Sequence, residues 1–106
     1  MLTDQNVLLV REPGEVQRSY LLRADGAFAI GRDPKANTVA LRDVALSARH
    51  FMVVPDEGAF YVVDVDSTNG TFLNQRRVRC ARLASGDVIR AGQVDVEYRT
   101  YLSGVG

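Results

Sequence analysis

Apolar and charged residues alternate along Val94–Arg99, near the end of the chain. Successive side chains of a β-strand point to opposite faces of a sheet, whereas one face of a helix recurs every 3.6 residues. The alternation therefore predicts an antiparallel strand with one buried face and one solvent-exposed face. Period two is much commoner along the chain than a helical stripe, which favours a fold built from strands and turns.

Short apolar runs bounded by turn-forming residues make up much of the chain. The runs are Val7–Val10, Ser19–Leu22, Phe28–Ile30, Thr38–Leu41, Phe51–Val54 and Phe60–Val65. Asp25-Gly26 and Pro55–Gly58 each separate two of these runs. They predict β-hairpins, because glycine supplies the positive φ that a tight hairpin turn requires. Many short strands joined by frequent turns predict a β-sandwich or a β-barrel.

One stretch, Gln75–Ala84, has a pattern that fits two structures. It fits a helix of two to three turns that ends before Gly86, and it also fits strand and loop. It lacks a Ser, Thr or Asp cap ahead of a clean apolar repeat, which weighs against the helix. Periodicity alone leaves the choice open.

Composition limits both the fold and the function. A chain of 106 residues is long enough for one core, so we expect a single domain over 1–106 with its core at about 7–98 and flexible ends, including Ser103–Gly106. Thirteen basic and thirteen acidic residues balance, so no overall charge indicates nucleic acid or a membrane surface as a partner. One cysteine and one histidine exclude an internal disulfide and the usual metal cages, and we expect no cofactor.

The apolar runs also bear on location. None approaches the roughly twenty residues that span a bilayer, and Met1–Gln5 lacks the basic start and apolar region of a signal peptide. We therefore expect a soluble cytoplasmic chain.

Three polar constellations lie at the edges of apolar runs. They are Gly31–Asp33, Ser47–His50 and Ser67–Asn74. Loops on a rigid scaffold can present such side chains on one surface. If these loops converge, their guanidiniums, hydroxyls and amide suit an oxyanion, and phosphate best of all.

The donors in these constellations match the needs of a phosphate monoester, which carries three strong acceptor oxygens. Arg32, Arg49, Ser47 and Thr68 supply the donors. Asn69 carries a donor and an acceptor on one short side chain, which suits the backbone of an extended peptide.

Each residue taken singly has a simpler explanation. Gly31 and Gly70 let the backbone turn beside a ligand, but a Gly-Arg pair after a strand is also an ordinary turn with a solvated cation. Ser67–Gly70 is an ordinary hairpin sequence. His50, beside Phe51, is typical of a hydrogen-bonded structural histidine. The order and spacing of the three constellations together favour a binding site.

The combined motifs resemble the forkhead-associated (FHA) domain family. In order they are Gly31-Arg32, Asn37, Ser47-x-x-His50, Asp66–Thr71 with Asn74, and Leu83-x-x-Gly86-Asp87-x-Ile89. The match covers roughly Val7 to Tyr98 in the family's order and spacing.

The resemblance implies an all-β sandwich of two antiparallel sheets, with about eleven strands and binding loops at one end. It implies loop and strand for Gln75–Ala84. It also implies a module that recognises phosphothreonine in partner proteins, linking a Ser/Thr protein kinase or its substrate to a partner, without catalysis.

Site residues follow from the resemblance position by position. Arg32 and Ser47 would hold the phosphate, Thr68 would add a contact, and Arg49 would be a further basic contributor. Asn69 would bind the peptide main chain.

The resemblance also assigns architectural residues, and the chain departs from the family pattern at two positions. Gly31, His50, Gly70 and Asn74 would shape the site. Ala48 stands where the family commonly has Arg, Lys or Asn, and Gln75 replaces a usual Gly.

Two other functions fit parts of the sequence. A scaffold or oligomerisation domain on the same fold would bind protein independently of phosphate, with Ala48 and the arginines of 76–82 in its favour. An enzyme would need Ser47 or Cys80 as nucleophile and His50 as base, and the sequence gives no signal for an orienting acid or an oxyanion hole.

Overall fold

The computed structural model describes residues 2–104, which fold as two β-sheets packed face to face. Within these residues the chain forms eleven strands and no helix. The strands are β1 Leu2–Arg11, β2 Arg18–Leu21, β3 Phe28–Gly31, β4 Val39–Ala40, β5 Phe51–Asp56, β6 Ala59–Asp64, β7 Thr71–Leu73, β8 Arg76–Val78, β9 Cys80–Arg82, β10 Val88–Ala91 and β11 Val94–Gly104. The described part of the chain therefore has no helix long and apolar enough to cross a membrane.

The strands divide into a six-stranded sheet, ordered β2-β1-β11-β10-β7-β8, and a five-stranded sheet, ordered β4-β3-β5-β6-β9. Among the described strands, β3 and β4 pair in parallel, with Ile30 opposite Val39, and the other pairs are antiparallel. The expected all-β sandwich of two sheets with about eleven strands is confirmed.

The core lies between the two sheets and is built from alternate residues of the strands. The six-stranded sheet contributes Leu8, Val10, Ile89, Val94 and Val96, and the five-stranded sheet contributes Ile30, Phe51, Val53 and Val62, all at most 1% exposed. Burying a side chain of this size stabilises the fold by about 1.5–3 kcal/mol. The two sheets pack against each other through this core and give the loops at their ends a rigid base.

The predicted hairpin at Pro55–Gly58 is confirmed. β5 and β6 pair up to Asp56 opposite Ala59, and the turn residues Glu57 and Gly58 have φ values of 47° and 79°. Positive φ at both central positions is the type I′ geometry that matches the twist of the flanking strands.

The predicted hairpin at Asp25-Gly26 is wrong. β2 pairs with β1 in the six-stranded sheet, whereas β3 belongs to the five-stranded sheet. The segment between them crosses from one sheet to the other, and Gly26 does not take a positive φ. Leu22 and Phe28, which flank this segment, are both buried. We attribute the crossing between sheets to their burial, which outweighs the local preference for a turn.

The alternation in Val94–Arg99 is confirmed for the apolar positions, but Glu97 is not on a solvated face. Glu97 is only 7% exposed, and Arg11 and Arg99 both donate hydrogen bonds to its carboxylate. These hydrogen bonds hold the pKa of Glu97 below its usual range, since they favour the charged form. The outer face of the six-stranded sheet therefore includes a buried carboxylate held by two partly exposed arginines.

The stretch that periodicity left open, Gln75–Ala84, forms β8 and β9, as the resemblance implied. β8 is an edge of the six-stranded sheet and β9 is an edge of the five-stranded sheet. Asn74 and Gln75 form the turn into β8, with φ values of 48° and 71°.

The longest ladder joins β1 and β11. It runs from Leu2 opposite Gly104 to Arg11 opposite Asp95. Ser103 and Gly104, which we expected in a flexible end, pair within this ladder, and positions 1, 105 and 106 lie outside the described residues.

Candidate functional site

Three loops meet at one end of the sandwich. They are the β3–β4 loop (32–38), the β4–β5 loop (41–50) and the β6–β7 loop (65–70). The backbone N–H of Arg32 donates to the carbonyl oxygen of Ser47 at 3.0 Å, and the N–H of Thr68 donates to Ser47 Oγ at 3.0 Å. The three constellations singled out in the sequence are therefore brought together around Ser47.

Ser47 is the centre of this cluster. Its hydroxyl oxygen accepts from the N–H of Thr68, which fixes the oxygen and leaves the hydroxyl proton available to donate. The residue is half-buried. Ser47 thus offers one oriented donor to a ligand.

Arg32 follows β3 directly and is exposed. Its backbone is fixed by the hydrogen bond to Ser47, whereas its guanidinium makes no hydrogen bond or ion pair with any residue from 2 to 104. The five N–H groups of this side chain remain available for an anion.

Arg49 is also exposed, but its guanidinium is partly engaged. Nε and Nη2 donate to the carbonyl oxygen of Ala36 at 3.0 Å and 2.7 Å. These bonds tie the β3–β4 loop to the β4–β5 loop. Arg49 therefore adds positive charge and also holds two loops together.

Thr68 and Asn69 lie exposed at the tip of the β6–β7 loop. Asn69 Nδ2 donates to the carbonyl oxygen of Ala45 at 2.9 Å. This contact orients the amide and leaves its oxygen and one N–H free. Such a side chain can form paired hydrogen bonds with an extended backbone.

His50 is fully buried beneath the loops. Nδ1 accepts from the N–H of Ser47 at 3.1 Å, and Nε2 lies 2.8 Å from the carbonyl oxygen of Gly70. Since one partner only donates and the other only accepts, we assign the neutral tautomer with the proton on Nε2. Both ring nitrogens bond to backbone atoms, so the imidazole is not directed at Ser47 Oγ as a general base.

Asp64 is a site residue that the sequence reasoning missed. Its carboxylate accepts from the hydroxyls of Ser67 and Thr71 and from the N–H of Ser67. Burial raises the pKa of Asp64, but these hydrogen bonds outweigh burial and leave the pKa below its usual value. The sequence did contain a signal for this role, because Ser67 follows Asp64 by three positions at a strand end. Short polar side chains at this spacing commonly form hydrogen bonds that stabilise a turn.

Gly31 is required by a close approach of the backbone. A methyl group added there would lie 2.8 Å from the Cα of Arg49 and 2.9 Å from Nδ2 of Asn37. Asn37 in turn donates to the carbonyl oxygens of Asp33 and Ala48, at 2.7 Å and 2.6 Å. Asn37 therefore fastens the β3–β4 loop to the β4–β5 loop.

Asn74 lies away from the cluster, although we had placed it among the residues that shape the site. The three residues of β7 separate it from Gly70. Its amide donates to Asp87 and accepts from the N–H of Val88, both at 2.9 Å. Its role is to hold the turn before β8 against the start of β10.

The described residues contain no group of three or more His, Cys, Asp or Glu side chains that could hold a metal ion. What the cluster offers is an oriented hydroxyl, a free guanidinium, a second cation and a free carboxamide. These groups can bind a phosphorylated, extended ligand through hydrogen bonds and charge alone.

Comparison with known proteins identifies relatives of this chain. A family model for the FHA domain matches residues 28–92. The glycogen accumulation regulator GarA from Mycolicibacterium smegmatis is 35% identical over 99 residues, which cover 93% of this chain and 62% of the relative. The chain therefore spans less than two thirds of the length of that relative.

Solved structures agree with the family model. The FhaA FHA domain complexed with the intracellular domain of Rv3910 has a TM-score of 0.78 and 34% identity, covering 89% of this chain and 99% of that one. A structure from a study of phosphothreonine-dependent FHA domain interactions has a TM-score of 0.79 and 34% identity, covering 90% of this chain and 95% of that one.

Proposed function

This chain belongs to the FHA domain family, and from that premise we propose that it is a phosphothreonine-binding module. It would bind a partner protein after a Ser/Thr kinase has phosphorylated that partner. Phosphothreonine-dependent interactions are the subject of one closely similar structure, and another holds an FHA domain on an intracellular domain. The second structure also favours a cytoplasmic setting for this chain.

The phosphate would be held by Arg32 and Ser47. In support, Arg32 has an exposed guanidinium and a backbone N–H bonded to Ser47, and the hydroxyl oxygen of Ser47 is fixed by Thr68. A charge-assisted hydrogen bond contributes roughly 1.5–3 kcal/mol, about tenfold or more in affinity. Thr68 would contact the phosphate from the β6–β7 loop, and Arg49 would contribute positive charge.

Asn69 would bind the peptide main chain next to the phosphothreonine. Its amide is exposed and is already oriented by its bond to Ala45. Pre-orientation lowers the entropy lost on binding, which favours recognition of an extended segment. Gly31, His50 and Gly70 would act by shaping the loops.

The observation that carries this proposal is the hydrogen bond from Thr68 N–H to Ser47 Oγ. It joins two loops 21 positions apart and places the hydroxyl and the β6–β7 loop on one surface. We propose that the chain acts by binding and not by catalysis, since His50 is committed to backbone atoms on both sides.

The test is a titration of one peptide library in phosphothreonine, phosphoserine and unphosphorylated forms. Wild type should prefer phosphothreonine, and Arg32→Ala should weaken that binding about tenfold or more. Arg23→Ala is the matched control, because Arg23 is exposed in the β2–β3 connection and pairs with Asp25. Equal binding of all three forms, or an unaffected Arg32→Ala variant, would overturn the proposal.

Ala48 favours a second candidate function, a scaffold that binds protein independently of phosphate. Ala48 is exposed between Ser47 and Arg49, so one wall of the cluster lacks the polar side chain common in the family. Partner binding that survives phosphatase treatment and Ser47→Ala would favour this second function.

A further inference from the structure

The β6–β7 loop has a second basic neighbour besides the proposed phosphate site. Thr68 faces Ser47 on one side of this loop. At the end of the loop, a methyl group added at Gly70 would lie 2.8 Å from Nε and 3.1 Å from Cζ of Arg77. The guanidinium of Arg77 therefore packs against the backbone of the loop that carries Thr68 and Asn69.

Arg79 lies on the same flank. It stands between β8 and β9, where the chain crosses from one sheet to the other, and its carbonyl oxygen accepts from the N–H of Asp64 at 2.8 Å. Arg77 and Arg79 both line an open cleft of about 540 Å³, which Asp66 and Ser67 of the β6–β7 loop also line.

The positive charges of this cleft form no ion pair among the described residues. Asp64 and Asp66 also line it, but none of the ion pairs found among residues 2–104 involves Arg77 or Arg79. The Asp64 carboxylate is instead occupied by the hydroxyls of Ser67 and Thr71. The Arg77 guanidinium thus lies close to the loop, Arg79 lines the same cleft, and both remain free to bind an external anion.

Protection of sheet edges explains only part of the basic cluster at 76–82. Charged side chains on an edge strand discourage pairing with other chains, which accounts for Arg76 on β8 and Arg82 on β9. Arg77 also lies on β8, but its guanidinium packs on Gly70, and Arg79 is not on a strand. Sheet-edge protection therefore does not account for Arg79 or for the contact of Arg77 with Gly70.

We propose that Arg77 and Arg79 form a second anion-binding subsite, which takes an acidic or phosphorylated side chain of the same peptide. This inference rests on the proposed phosphothreonine function. Thr68 and Gly70 are two residues apart, a span of at most about 7 Å. An extended peptide advances about 3.3 Å per residue, so an anion within about four residues of the phosphothreonine reaches the cleft.

The experiment compares a neutral phosphothreonine peptide with variants that carry one aspartate or one phosphoserine at each flanking position. Each is titrated against wild type, Arg77→Gln/Arg79→Gln and Arg76→Gln/Arg82→Gln. The second double variant is a matched control, because it removes the same charge from the same cluster but outside the cleft lining.

Wild type should bind the best acidic variant roughly threefold to tenfold more tightly than the neutral peptide, as two exposed charge contacts allow. Arg77→Gln/Arg79→Gln should lose this gain and bind the neutral peptide like wild type. Arg76→Gln/Arg82→Gln should keep the gain. Comparing the aspartate and phosphoserine arms shows which anion the subsite prefers.

Four outcomes would overturn all or part of the inference. If the neutral peptide binds wild type but no acidic position improves it, or if both double variants lose the gain equally, only the second subsite fails. If no phosphothreonine peptide binds wild type, the proposed function fails and the subsite with it. Loss of Arg77 could instead disturb the loop and weaken binding of the neutral peptide. In that case the single variant Arg79→Gln is the test. If this variant still binds the acidic peptide as much more tightly as wild type does, a role for Arg79 is refuted.

Discussion

The Nε2 atom of His50 donates a 2.8 Å hydrogen bond to the carbonyl oxygen of Gly70, and this bond joins two loops 20 positions apart. The other ring nitrogen of His50 accepts from the N–H of Ser47. One buried imidazole therefore connects the residue proposed to hold the phosphate with the end of the β6–β7 loop.

Replacing His50 with alanine should destabilise the domain by about 2–5 kcal/mol, because two backbone groups lose their partner and a cavity remains. Urea unfolding of wild type and variant measures the change. His50→Gln should recover part of the loss, since its amide N–H reaches toward Gly70. A change below about 0.5 kcal/mol, the range of ordinary surface substitutions, would show that the buried contacts do not matter.

Gly31→Ala should destabilise the fold by about 1–3 kcal/mol and weaken phosphopeptide binding. The added methyl meets the backbone of Ala48 and Arg49, so the β4–β5 loop must shift. Gly26→Ala is the matched control, because nothing lies within 4 Å of a methyl group there. Thermal unfolding and peptide titration of both variants test this, and equal effects at the two glycines would contradict it.

Gln75→Gly should stabilise the protein by roughly 0.5–1 kcal/mol. Gln75 has a φ of 71°, a left-handed conformation that costs a non-glycine residue about 1–2 kcal/mol, and the greater freedom of glycine in the unfolded chain cancels part of the gain. Gln75→Ala keeps the left-handed strain and should give no gain. The measurement is the free energy of unfolding in urea, and a loss of stability with glycine would refute the strain.

Stability should fall as the pH falls below the ordinary glutamate pKa of 4.5, in part through Glu97. Hydrogen bonds from Arg11 and Arg99 lower the pKa of Glu97 in the folded protein, so its contribution is present above 4.5 and is lost as the pH falls through the folded pKa. Glu97→Gln should flatten this part of the curve of unfolding free energy against pH.

The control for this measurement is Glu15→Gln. Glu15 is exposed and forms no ion pair with the residues from 2 to 104. Its variant should follow the wild-type curve. An unchanged acid dependence in Glu97→Gln would assign the effect to other carboxylates, such as Asp64.

Local pattern was sufficient to predict most of the strands and the loops in which the site motifs lie, although it left Gln75–Ala84 open. Alternation placed Val94, Val96 and Tyr98 on the buried face, and the spacing of Ser47 and His50 marked a loop that the structure places in the cluster. These features depend on neighbours within a few positions, which a single sequence contains.

Features that depend on distant partners were not accessible in the same way. The segment around Asp25 crosses between sheets because β2 pairs with β1, and Glu97 is buried because Arg11 comes from another strand. The contact of Arg77 with Gly70 likewise requires β8 to lie beside the β6–β7 loop. Nothing in the local sequence specifies these pairings.

The ladder between β1 and β11 has a consequence for folding kinetics. Tyr98 Oη donates to Asn6 Oδ1 across 92 positions of the chain, so this pair of strands in the six-stranded sheet joins segments that are far apart in the sequence of the domain. Closing so long a loop is slow, and we expect folding on the order of milliseconds to seconds rather than microseconds. During synthesis, β1 can pair with β2 early, but its ladder with β11 has to wait until β11 has left the ribosome.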